Sequence, residues 1–234
     1  GDAHGAEGLS SQGAAQPSVE EPQDTDTEPS QPPEESPEET SEEEEVPEEP
    51  YVRTIDPAGP MVALTFDDGP HQTYTDQLLD ILEEHHAVAT FFEVGKNAAR
   101  YPEPIARAAA LGCEIGSHSN AHKDLSKLKS ATLLADLDAA DQSIAAAAGK
   151  APTLLRPPYG AVNKTVKYGT GRGVVTWTVD TQDWLSQDAQ KVIESLQSLE
   201  SLDGEIVLLH STYASTVEAM ETVVPWLIEE GYQL

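Results

Sequence analysis

From residue 60 to the end, short β-prone runs alternate with longer stretches of helical pattern, and this alternation restricts the fold more than any other feature of the chain. Strands are expected at Val62–Phe66, Ala89–Val94, Glu114–Ser117, Thr153–Leu155, Val174–Val179 and Ile206–Leu209. Helices are expected at Tyr74–His86, Pro102–Leu111, Ala131–Ala148, Asn163–Lys167, Ala189–Leu202 and Val217–Glu230. The Ala131–Ala148 segment is the clearest, being rich in Ala and Leu and followed by the stop residues Gly149 and Pro152. Parallel strands need long crossovers, usually helical, so repeated strand, helix, strand units read as an α/β fold.

The first 50 residues stand outside this pattern. They hold 17 acidic side chains and no Lys or Arg, as in PSQPPEESPEETSEEEEVPEEP. Such a segment has too little apolar surface to offset the entropy lost on ordering, and its charges repel. Residues 1–52 are therefore expected to be a disordered acidic linker and residues 53–234 one domain. The formal net charge is −29, and the part after residue 50, with 25 acidic and 13 basic side chains, remains acidic. No Lys/Arg cluster is present to replace phosphate counterions, which excludes nucleic acid as a partner. No run approaches the ~18 apolar residues of a membrane span. The single cysteine, Cys113, rules out an internal disulfide and reads as a small buried hydrophobe. No signal-like apolar segment follows Gly1. The acidic spacer nevertheless suits an extracellular or cell-surface protein of bacterial type whose signal or anchor lies outside this sequence.

The unusual residues fall just after the expected strands: DDGPH after the first, HSNAH after the third, RPPYG after the fourth, DTQDW after the fifth and HS after the sixth. In a parallel barrel or open α/β sheet those carboxyl ends share one face, where sites are built. Adjacent carboxylates repel, so Asp67 and Asp68 after a buried-looking run call for a cation, although DDGP by itself is also a tight turn. His118 and His122, three residues between them, suit zinc or a related divalent ion; in isolation they equally describe two surface histidines. Together, Asp68, His118 and His122 make three ligands and leave an open position, as in catalytic zinc sites. Asp67 can then stay ionised as a base, because a divalent ion lowers the pKa of water from about 15.7 toward ~7. His85 and His86 read as a solvated helix end and His71 as a loop residue.

TFDDGP, HSNAH, RPPYG, DTQDW and LLH, in this order, resemble the five motifs of the polysaccharide deacetylase family, also called the NodB-homology domain or carbohydrate esterase family 4, from about Met61 onward. The resemblance implies a distorted (β/α) barrel, TIM-like with about seven strands. By similarity Asp67 is the general base, and Asp68, His118 and His122 hold a divalent metal, zinc before cobalt or another transition metal. Arg156 braces Asp67, and the backbone N–H of Tyr159 helps to stabilise the oxyanion. His210 protonates the departing amine, Asp183 orients it, and Trp184 and Leu208 line the pocket for the acetyl methyl group. Read without the family, Arg156 and Asp183 also fit a structural ion pair, Trp184 a core position and His210 an isolated strand-end histidine. Three departures, Ser211 where the family often has Asp, Leu185 where it often has a basic residue, and the short Lys167–Gly173 segment, bear on substrate preference.

The expected function is metal-dependent hydrolysis of acetyl groups from N-acetylglucosamine units of a cell-wall glycan, peptidoglycan above all. Chitooligosaccharides or acetylxylan are alternatives with the same mechanism, and a non-catalytic carbohydrate-binding domain with a structural metal is a different class. A structural ion needs neither the base Asp67 nor the acid His210, which argues against that class. The implied partner is a glycan, with Tyr159, Trp184 and Tyr213 as stacking platforms, and the chain is expected to be monomeric. A metallopeptidase would need a helical H-E-x-x-H element, which is absent.

Overall fold

The computed structural model describes residues 53–234; the expected acidic linker, residues 1–52, lies outside the described residues. Seven strands form one sheet: β1 (Ala63–Asp67), β2 (Thr90–Glu93), β3 (Glu114–Ser117), β4 (Leu154–Leu155), β5 (Gly173–Val174), β6 (Val179–Asp180) and β7 (Ile206–His210). Every pairing is parallel, in the order β5-β4-β3-β2-β1-β7-β6. The crossovers carry α1 (Tyr74–Glu84), α2 (Gly95–Arg100), α3 (Pro102–Ala110), α4 (Ser130–Ala148), α5 (Lys164–Tyr168), α6 (Asp183–Ser186) and α7 (Ala189–Gln197), and α8 (Ala214–Glu229) follows β7.

The strand expected over Val174–Val179 is divided. Its first part, β5, pairs with β4 at one edge of the sheet, and its last part, β6, pairs with β7 at the opposite edge. The five Cα-to-Cα steps from Val174 to Val179 reach at most about 18 Å, so the sheet has curled until its two edges face each other across the four residues 175–178. This is the distorted barrel, a curled half-barrel of seven parallel strands. The crossing segment cannot hold one register with two edges. Its carbonyls are met instead by Arg156, whose Nη2 donates to Thr176 O (2.8 Å) and Nε to Val175 O (3.4 Å).

Alternation along β1 sorts its side chains to two buried faces. Leu64 and Phe66 belong to the cluster under the helices, with Leu78, Leu79 and Leu82 of α1 and Met220, Val223 and Leu227 of α8. Phe66 stacks on Phe91 at 5.3 Å between ring centroids. Each such side chain contributes roughly 1.5–3 kcal/mol on burial. Thr65 and Asp67 face the other way, into the curl, where Arg156 Nη1 donates to both, at 2.7 and 2.9 Å.

Helix α2 was not expected, being too short to show an apolar period. It lies against α4, with Gly95 at the contact: a Cβ there would come 2.6 Å from Ala140 Cα. Helix α4 ends as its sequence predicts, at Gly149 with φ of 81°. Among the described residues no helix is long and apolar enough to cross a membrane.

Candidate active site

Parallel strands place their carboxyl ends on one side of the sheet, and residues from the loops after β1, β3, β4, β6 and β7 surround one cavity of about 410 Å³. These loops are tightly bent. Of the seven described non-glycine residues with left-handed φ, Asp68 (73°), Ser119 (67°), His122 (53°), Tyr159 (64°) and Gln182 (55°) lie in them. L-residues adopt such angles at a cost of order 1–3 kcal/mol, and they persist where the surroundings hold them. Asn97 Nδ2 donates to Asp68 O (2.9 Å), and Ser119 Oγ accepts from His122 N (2.9 Å), so the bends are tied in place.

Asp67 closes β1 and is 2 % exposed. Its Oδ1 accepts from Arg156, while Oδ2 lies 3.7 Å from His118 Nε2. Arg156 is wholly buried, and its guanidinium lies 4.2 Å from the Phe92 ring centroid and 5.8 Å from that of Trp177. Burial pulls its pKa down and the Asp67 carboxylate opposes the shift. The structural ion pair open to Arg156 and Asp183 does not form. Each has a different partner, because β4 and β6 deliver them to different sides of the cavity's polar set.

Asp68 Oδ1 stands 3.3 Å from His118 Nε2 and 3.1 Å from His122 Nε2, yet it is buried with no directed hydrogen-bond donor. Ligands 2.0–2.1 Å from a common tetrahedral ion are about 3.3 Å apart, so this spacing fits three donors around one cation. One ligand atom from each of the three residues lies within 4.8 Å of the others. His118 Nδ1 lies 2.6 Å from the Arg156 carbonyl, which only accepts; Nδ1 therefore carries the proton and Nε2 turns its lone pair to the set.

His210 closes β7. Its Nδ1 is 2.7 Å from Asp183 Oδ1, and its backbone N–H donates to Asp183 Oδ2 (2.8 Å). Asp183 is fully buried and also accepts from Thr216 Oγ1 (2.7 Å) and Trp184 N (2.8 Å). With Nδ1 so engaged, Nε2 is the remaining ring nitrogen, 4.0 Å from Asp68 Oδ2. Burial lowers the imidazole pKa, but the bond to Asp183 and the charges of Asp183, Asp68 and Asp67 reverse this and leave it raised. Leu208 is buried in the cavity wall, whereas Trp184 is 46 % exposed at its rim and is not a core residue. Tyr159 also lies on the rim, with its side chain largely in solvent.

Two residues, Trp177 and Glu93, escaped the sequence reading, and a third, Asp180, entered it only as the first residue of DTQDW with no role of its own. Trp177 and Asp180 line the cavity because the divided strand turns them toward it. Glu93, at the end of β2, is 1 % exposed and neither of its oxygens has a hydrogen-bond partner. Burial, then the charges of Asp67 and Asp68, push its carboxyl up to about 8. An acid closing the apolar run ATFF was the available signal. Gly69 passes so close that a Cβ there would fall 2.8 Å from Glu93 Oε2 and 2.4 Å from Ser211 Oγ. His71, as read, is a loop residue: its Nδ1 accepts from Thr73 N and Tyr74 N at the start of α1. Cys113 is buried.

A peptidoglycan-N-acetylmuramic acid deacetylase of Bacillus subtilis, PdaC, is 34% identical over 190 residues, covering 81% of this chain and 40% of its own length. A peptidoglycan-N-acetylglucosamine deacetylase of Listeria monocytogenes, PgdA, is 35% identical over 189 residues, with the same coverage. The chain thus spans about two fifths of the length of these relatives. The solved structure "T48 deacetylase with substrate" superposes with a TM-score of 0.74 at 41% identity, covering 77% of this chain and 90% of that one. Residues 54–197 match the polysaccharide deacetylase family model. On this match and this fold, the chain belongs to the polysaccharide deacetylase family, carbohydrate esterase family 4.

Proposed function

We propose that this chain hydrolyses acetyl groups from N-acetylglucosamine units of a cell-wall glycan, with peptidoglycan as the polymer and the outside of a bacterial cell as the place of action. The observation that carries this reading is the meeting of an acid-base pair and a three-donor set around one cavity. Support for the polymer comes from the names of the two relatives above.

Asp67 is the base: Arg156 occupies Oδ1, so Oδ2 takes the proton from water. Asp68, His118 and His122 are the residues that would hold the metal. A divalent ion there, zinc above all, supplies Lewis-acid polarisation of the amide carbonyl and lowers the pKa of water. The two turn hydrogen bonds at this loop, Gly160 N to Pro157 O and Ala161 N to Pro158 O, leave out the Tyr159 N–H, which is assigned to the oxyanion. His210 gives the Nε2 proton to the departing amine, held in its charged form by Asp183. Leu208 and Trp184 receive the acetyl methyl group, and the exposed faces of Tyr159 and Trp184 offer stacking to neighbouring sugars.

The test is acetate release from peptidoglycan, chitooligosaccharides and acetylxylan, with chelator and then zinc or cobalt. Release from peptidoglycan, lost with chelator and restored by metal, is expected. Asp67→Asn should lower kcat by about 10²- to 10⁴-fold while the protein still takes up one equivalent of zinc. A parent protein that releases no acetate, with Asp67→Asn binding metal and glycan normally, would instead establish a carbohydrate-binding domain.

A further inference from the structure

The loop bearing His118 and His122 is fastened to α2. Gly95 N donates to Ser119 O (2.9 Å) and Lys96 N to Asn120 O (3.0 Å), while Asn97 binds the Asp68 carbonyl. With Gly95 packed against α4, the backbone of Lys96 is set at a fixed place relative to Asp68 and His122. The Lys96 side chain is exposed and has no carboxylate partner among the described residues.

A second cavity, of about 330 Å³, is lined by Asp68, Val94, Lys96, Asn97, Ala121 and His122. It shares Asp68 and His122 with the 410 Å³ cavity, so the reacting centre stands in the wall between the two. Their charges differ. The larger cavity is lined by Asp67, Asp68 and Asp180 and by no Lys or Arg; the smaller has Lys96 and one acid, Asp68, which the two cavities share. A lysine to pair with an anionic substituent is therefore offered only on the second side.

We infer that the smaller cavity is a subsite for a carboxylate carried by the glycan beside the reacting acetamide, and that Lys96 is the residue that recognises it. The inference rests on the deacetylase reading of the site and narrows its substrate. Chitin is neutral. Peptidoglycan carries carboxylates, either on the lactyl ether of peptide-free muramic acid or on the peptide stem, and the ammonium of Lys96 serves both as a flexible point charge.

Three tetrasaccharides separate the cases: chitotetraose, a peptide-free N-acetylglucosamine–N-acetylmuramic acid tetramer, and the same tetramer bearing peptide stems. Each is assayed for kcat/KM and, by calorimetry, for binding to zinc-loaded wild type, Lys96→Met and Lys96→Arg. For one partly exposed pair, Lys96→Met is expected to lower the ratio of kcat/KM on the carboxylated tetramer to that on chitotetraose about fivefold, through KM, with binding weakened equally. Lys96→Arg should restore the ratio, and 0.5 M salt should erase the difference. The tetramer that shows the loss identifies which carboxylate is read. Equal losses on all three probes, or no change in the ratio, would overturn the subsite. If wild type cleaves none of them, the hydrolase reading fails, and calorimetry alone judges the subsite by whether Lys96→Met selectively weakens the carboxylated tetramers.

Discussion

Asp67 and Asp68 are neighbours in sequence with opposite surroundings: a buried guanidinium holds the first, and two imidazoles face the second. The left-handed backbone at Asp68 is what separates them, by turning the second carboxylate toward the loop after β3. Opposite them, His210 depends on Asp183 for its raised pKa. In the proposed role of general acid His210 works only while protonated, so activity falls as pH rises through its pKa. Removing the charge that raises that pKa should move the alkaline limb of the kcat profile to lower pH in Asp183→Asn; an unmoved limb would show that the limb belongs to another group. Glu93 has the contrary effect on stability. In the unfolded chain it ionises near 4.5 and in the fold burial and the charges of Asp67 and Asp68 push it up to about 8, so between these values the unfolded state binds fewer protons and stability falls with rising pH. At pH 7 the loss is on the order of 3 kcal/mol. In zinc-free protein, Glu93→Gln should therefore raise Tm at pH 7 to 8 and change it little near pH 4.5, and equal Tm values at both would mean that the carboxylate has found a partner. The meeting of Asp67, Asp68, His118, His122 and His210 was legible because they are charged or aromatic residues at strand ends. Glu93 was not, because its meaning depends on β1 lying beside β2.

The short elements do as much to build the site as the long ones. The split of the expected strand into β5 and β6 leaves a gap in which Arg156 binds the carbonyls of Val175 and Thr176, so one side chain spans the curl and also fixes Asp67. Helix α2 ties the histidine loop and the Asp68 carbonyl together, and it reaches them because Gly95 allows close approach to α4. In Gly95→Ala the new methyl would have to displace backbone at Ala140, so a loss of about 1–3 kcal/mol in chemical denaturation is expected, together with weaker zinc binding. A variant as stable as the parent would mean that α2 shifts at no cost. Periodicity could not reveal either device. Two-residue strands and a six-residue helix carry too few apolar positions to show a period, and their existence is decided by neighbours distant in the chain.

At the scale of the whole molecule, folding is what creates the three-donor set, since its members come from segments some 50 residues apart, and a metal bound to it favours the native state by mass action. Chelation is expected to lower Tm and zinc to restore it, with a gain of about 2.7 kcal/mol at a free zinc concentration one hundred times Kd; a Tm indifferent to zinc would show that the three donors hold no ion. The alternation of strands and helices, the parallel sheet and the five polar clusters followed from local pattern alone, because hydrophobic period and stop residues act over a few neighbours. Which cluster faces which, the seam across residues 175–178, the burial of Glu93 and the charge difference between the two cavities were decided only by the tertiary structure. Each of these depends on how far the sheet curls, and that curvature comes from the packing of all the strands and helices at once.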